Sequence, residues 1–200
     1  MGYAALIDIA GSILIGAMML GIILKLNNTA SWNLYSNSGE LNTQTNSTSM
    51  SMILENDFRK IGYCADYTNI QDPASAILAA DSTSIKFISD VNKNGIMDTV
   101  YYYLGPASEL ISTANPRDKI LYRIVNNAAK IGSDAGITRF YMVYFDVNGD
   151  TIHTPVSSGY LPLINDIELN MNVENTAIDS SLANSYWRQS RLTVPNLKNR

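Results

Sequence analysis

Residues 3–24 read YAALIDIAGSILIGAMMLGIIL, a run of 22 positions with one charge, Asp8. As a helix it would be about 33 Å long, enough to cross a bilayer core of about 30 Å. A helix that is apolar all round must be buried in protein or in lipid. A core helix of this length with a single charge would be unusual, and a cleaved secretory signal would want a basic start and a small-residue cleavage site. The run is therefore expected to be a membrane anchor. Gly11, Gly16 and Gly21 fit that setting, where glycine permits close approach of neighbouring helices. No Lys or Arg precedes the run and Lys25 follows it, so the positive-inside rule gives no support for a cytoplasmic N-terminus and weakly favours the reverse.

Charge is distributed to match. Of 32 charged residues, only Asp8, Lys25 and Glu40 lie in residues 1–46. The remainder of the chain has ordinary charge density and a mild acidic excess. With 14 basic against 18 acidic residues, the chain lacks the cationic footprint that nucleic-acid binding requires. A carboxylate such as Asp8 costs about 2.5–3.5 kcal/mol at the centre of a bilayer and less near its surface. Two readings of it stand: it sits near the headgroups or protonates, or it pairs with a cation or a terminal amine on a neighbour.

Residues 27–49 are rich in Asn, Ser and Thr and have no sustained apolar face, which suits a linker or a weak polar helix. Leu54, Phe58 and Ile61 then recur at helical spacing, with Ile53 and Asp57 on the flank. Ser49 or Ser51 with Glu55 could cap this amphipathic helix over 48–62, and Gly62 would end it. After Asp66 the pattern becomes alternating. Strands are expected at 84–89, 98–104, 119–125, 137–145, 165–173 and 186–195, joined by Asn-, Asp- and Gly-containing turns. No βαβ rhythm occurs. The expected fold class is α+β, a long N-terminal hydrophobic helix followed by an antiparallel β-rich domain. Its parts are an apolar helix over 1–26, a polar stalk and amphipathic helix over 27–62 that continue it, and a globular part over 63–200.

Few residues suit catalysis. The one histidine, His153, follows a turn, and no nucleophile elbow accompanies it. The one cysteine, Cys64, excludes an intramolecular disulfide and reads as a small buried hydrophobe. Tyr101, Tyr102 and Tyr103 should send two rings to one sheet face and one to the other. No enzyme is expected. The segment DVNKNGIMD is the one with metal-ligand spacing. It places side-chain oxygens at Asp90, Asn92, Asn94 and Asp98, the Ile96 carbonyl between them, and Gly95 at a sharp turn. Two readings stand here as well: an incomplete Ca²⁺ loop without the closing bidentate Glu, or a hairpin turn built from Asn and Gly. DVNGD at 146–150 reads as a turn.

Taken in order, several segments resemble type IV pilin-like proteins. They are GYAALID (2–8) before the apolar run, LENDFRKIGY (54–63), IKFISD, DTVYYYL, LYRIVN (121–126) and YWRQSRLTVPNL (186–197). The likeness is greatest to the J-type minor pseudopilins of type II secretion and the W-type minor pilins. It implies a prepilin peptidase cut after Gly2, leaving Tyr3 first, and an acid near the new amine. That acid is Asp8, sixth after the cut, where the family has Glu fifth. The family's mid-helix proline is missing, since no Pro precedes Pro73.

The resemblance implies a minor pilin or pseudopilin. It would be held in the inner membrane by one helix, with its β-domain exported, and then assembled with other pilin subunits into a periplasmic or extracellular filament. Inner-membrane lipid, prepilin peptidase and the neighbouring subunits would be its partners. The alternative is a membrane-tethered exported β-domain that binds a ligand or mediates cell adhesion, with Ca²⁺ as its potential cofactor.

Overall fold

The computed structural model describes residues 2–70, 72–111, 113, 115–175 and 185–198. It is an α+β fold in which one helix precedes an antiparallel sheet. Helix α1 runs unbroken from Gly2 to Arg59, 58 residues or about 87 Å. The polar stretch expected as a linker or weak helix is thus part of one rod. Several hydroxyls along the rod fold back onto the preceding turn, where helical carbonyls satisfy them. Thr29 donates to the Lys25 carbonyl, Thr43 to Gly39 and Ser51 to Ser47, at 2.8–2.9 Å. With the helix continuous, Ser49 and Ser51 lie inside it and cap nothing.

Among the described residues the sheet has eight strands. These are β1 (Ile77–Ala80), β2 (Ser84–Ser89), β3 (Asp98–Leu104), β4 (Lys119–Val125), β5 (Ile131–Phe145), β6 (Thr151–Ile152), β7 (Asp166–Glu174) and β8 (Ser185–Thr193). The order is β1-β2-β3-β4-β5-β7-β8, with the short β6 paired to β5 and every pairing antiparallel. A short helix, α2 (Pro195–Lys198), follows β8. The six expected strands are present within a residue or two at most ends. β5 begins six residues earlier than expected and β1 and β6 are additional. β5 passes through Gly136, whose φ is +77°, and a register shift follows between Ile137 and Arg139. A Cβ at Gly136 would overlap the Glu174 carbonyl. The glycine therefore makes a bulge where it looks like a strand boundary.

One sheet face packs on the second half of α1. The buried helix positions are Gly39, Thr43, Ser47, Met50, Ser51, Leu54, Asp57 and Phe58, a stripe at three- and four-residue spacing. It begins with small residues and ends with large ones. Phe58 meets Phe87 of β2 and Tyr102 of β3 edge-on, with centroids 5.7 and 5.6 Å away. α1 stops at Arg59, and Gly62, at φ +74°, turns the chain away. The Asn196 amide of α2 donates to the carbonyls of Arg59 and Ile61, satisfying groups left open at the helix end.

Gly39 lies against the residue that follows β7. A Cβ there would overlap the Asn175 side-chain amide. Gly→Ala inside a helix ordinarily stabilises by about 1 kcal/mol. Gly39→Ala is expected to lower the melting temperature instead, because the added Cβ would force the Asn175 side chain to shift. A rise on thermal unfolding would show that Asn175 moves aside without cost.

Candidate functional site: the exposed apolar helix and its attachment

From Gly2 to Leu26, α1 touches no other part of the described chain, and all of its side chains are exposed. The helix is long and apolar enough to cross a membrane. By length and composition alone, a membrane anchor and a signal sequence both meet that test. Exposing this many Leu, Ile and Met side chains to water would be unfavourable at about 1.5–3 kcal/mol each. This surface requires lipid or protein around it. Gly2, Tyr3 and Asp8 all lie in its first turns, and Tyr3 is almost fully exposed. The Ser12 hydroxyl donates to the Asp8 carbonyl at 2.7 Å, which satisfies a polar group that lipid could not.

What distinguishes this helix from a flexible tether is its attachment to the sheet. Asp57, in its last turn, is buried. Its Oδ2 accepts from the Tyr102 hydroxyl and from Arg123 Nε, both at 2.7 Å, and Arg123 Nε also reaches the Tyr102 oxygen at 3.0 Å. The three groups join α1 to β3 and β4. Burial pushes the Tyr102 hydroxyl well above its ordinary range, and the Asp57 charge pushes it further. For Arg123, burial alone would favour the neutral form, but the bond to Asp57 and the nearby Tyr102 oxygen outweigh it and raise the value. A second tie holds β8: Glu55 accepts from Ser190 Oγ at 3.0 Å and pairs with Arg188 at 3.5 Å. No periodic pattern along the chain marks this triad. Asp57 sits on the flank of the apolar stripe, and its partners are 45 and 66 residues away.

The 90–98 loop joins β2 to β3, and the structure brings its predicted ligands into one turn. Asp90 is fully buried. Its carboxylate accepts the backbone N–H groups of Ala65, Asn94 and Gly95 at 2.9–3.1 Å. Asn92 Oδ1 accepts from the Asn94 N–H, and Asn94 Oδ1 from the Ile96 N–H. Asp98 accepts from the Val91 N–H and the Asn126 amide. Gly95 has φ +82° and Lys93 +61°. The side-chain oxygens thus hold the turn together through amide donors. Among the described residues, no group of three or more His, Cys, Asp or Glu is placed to hold a metal. Calcium affinity of this asparagine-rich loop is a separate proposition, and calorimetric titration of the whole chain with Ca²⁺ tests it.

Burial on its own would raise the Asp90 pKa, but the backbone N–H groups of Ala65, Gly95, Asn94 and Lys93 together hold it below its ordinary value. The stabilisation is complete above the unfolded value of 3.8. It is lost as pH falls through the lower folded value. Asp90→Asn is therefore expected to be less stable than wild type at neutral pH, with the gap closing under strong acid. Denaturant midpoints across that range check this, and a gap independent of pH would contradict it. Asp118 acts in the opposite sense, since burial raises it, but that contribution is common to both proteins and cancels.

The remaining singled-out residues serve packing or lie at the surface. Tyr102 enters the core. Tyr101 and Tyr103 turn to the other face, where Tyr101 stacks on Tyr103 at 5.2 Å between centroids and Tyr103 on Tyr122 at 4.9 Å. Cys64 is buried and unpaired. His153 is exposed beside the turn at 146–150, where the Asp146 carboxylate accepts from the N–H groups of Asn148 and Asp150. Compared with known protein families and with curated proteins, the chain matches none.

Proposed function

We propose that this chain is a structural subunit, a minor pilin or pseudopilin, of a type IV pilus-like or type II secretion filament. One observation carries the reading. A single 58-residue helix is apolar and exposed in its first half and packed on an antiparallel sheet in its second half. Such a rod suits a subunit stored in the inner membrane and then drawn into a bundle of like helices, where protein contacts replace lipid contacts. Head-to-tail contacts between non-identical surfaces would extend the filament. In this reading the β-domain is exported, prepilin peptidase cuts after Gly2, and Asp8 is neutralised by an amine in the neighbouring subunit.

Two experiments test the proposal. Filaments prepared without detergent should contain the chain by mass spectrometry. Consistent recovery only as a monomeric membrane protein would overturn the reading. The mature N-terminus is the second readout: a methylated Tyr3 amine supports filament processing, whereas an intact Met1 contradicts it.

A further inference from the structure

Beyond the apolar run, residues 27–38 of α1 carry no buried side chain, and the first buried helix position is Gly39. Within this stretch Trp32 is 49% exposed and Tyr35 71% exposed. The two rings share a shallow cleft with Asn28 and Ser31. At about 100° per residue, Lys25, Asn28, Trp32 and Tyr35 fall within an arc of about 80°. One helix face thus has a cation followed by two aromatic rings with polar tips. Apart from Leu34, the rest of the stretch is polar or small: Asn27, Thr29, Ala30, Asn33, Ser36, Asn37 and Ser38.

We propose that Lys25, Trp32 and Tyr35 form an interfacial anchor seated in the headgroup layer of a phospholipid bilayer. The inference rests on the membrane-anchored state proposed above and adds where the helix leaves the lipid. Helical side chains lean toward the N-terminus and cover the preceding turn. The Trp32 Cα lies about 9 Å beyond Leu26, so its ring reaches back to within about 4 Å of the apolar run. The headgroup layer extends about 5–7 Å beyond the hydrocarbon on each side, so the indole falls inside it. A tilt of about 20° toward this face, ordinary for a spanning helix, brings Tyr35 into the same layer. Indole and phenol groups favour this depth because their bodies are apolar and their N–H and O–H groups donate to lipid oxygens. Lys25 can extend its ammonium to the phosphates. The face is continuous with the apolar run and complementary in charge to phosphate. About 18 Å of rod, from Asn27 to Gly39, then leads from the apolar run to the first buried helix position.

The test uses the full chain with Trp187→Phe, which leaves Trp32 as the one tryptophan. It is reconstituted in vesicles of phosphatidylcholine and phosphatidylglycerol. Trp32 emission is read against aqueous iodide and against lipids brominated either near the headgroup or near the chain ends. Blue-shifted emission, quenched several-fold more strongly by the shallow bromines than by the deep ones, is the expected result. Strong iodide quenching on vesicles that still float with the protein would overturn the inference while leaving the anchor intact. Shielding from both iodide and bromine would assign the rings to a second copy of the chain and likewise overturn it. Strongest quenching by the deep bromines would overturn the headgroup placement. Failure of the chain to float at all would remove the anchor reading and this inference together.

Discussion

Two aspartates at the centre of the apolar run, Leu14→Asp with Met18→Asp, are expected to move the chain from the membrane fraction into the soluble one. An Asp at the middle of a spanning helix costs about 2.5–3.5 kcal/mol. Two cost about 5–7 kcal/mol, or about four to five orders of magnitude in partitioning. Both side chains are exposed and far from the sheet, so the β-rich part should keep its circular dichroism and unfolding midpoint. The alanine pair at the same positions should remain with membranes. Membrane flotation and thermal unfolding of the soluble variant provide the two readouts. A charged variant that still floats would show that residues 2–26 are not the anchor.

The second large effect is expected at Asp57→Ala. This change leaves Arg123 without its partner and removes the acceptor of the Tyr102 hydroxyl. Breaking a buried pair from one side costs about 3–5 kcal/mol. The lower end applies, because the Arg123 side chain retains 23% exposure. At about 2–4 °C per kcal/mol for a chain of this size, the midpoint should fall by about 6–12 °C. Replacing all three groups together, as Asp57→Leu, Tyr102→Phe and Arg123→Met, should recover most of the loss, since no polar group is then left unpaired. A single-variant loss within 1 kcal/mol would mean that water substitutes for the carboxylate. The role of the triad is positional. It sets the direction of the rod relative to the sheet, and the free half of the rod inherits that direction.

Most of the sheet was legible because its strands are half-buried and alternate at period two. Ile85 and Phe87, and Ile167, Leu169, Met171 and Val173, are buried as their spacing requires. The parts missed share a physical cause. The start of β5 reads IGSDAG, where glycine imitates a turn but serves a bulge. The four residues of β1 are too few for alternation to show. The polar stretch of α1 gave no apolar period because its buried face is made of Gly39, Thr43 and Ser47, which pack by being small. In the 90–98 loop the residues were legible and their donors were not. Asp90 is bound by Ala65, which lies 25 residues away along the chain.

Local chemistry alone determined three things about this protein. An uninterrupted run of 22 apolar-dominated positions must be helical and must be covered. Alternating segments joined by Asn, Asp and Gly must form an antiparallel sheet. One histidine and one cysteine restrict catalytic and disulfide chemistry. Tertiary structure decided how the two halves are joined. Whether the Asn- and Ser-rich stretch is a flexible linker or a rod depends on its propensity, which is weak, and on what it packs against, which is remote in sequence. Packing on β5, β7 and β8 and the Asp57–Tyr102–Arg123 contact supply the free energy that propensity does not. Local pattern registers the periodicity of a chain, but not partners brought together across 45 to 135 residues.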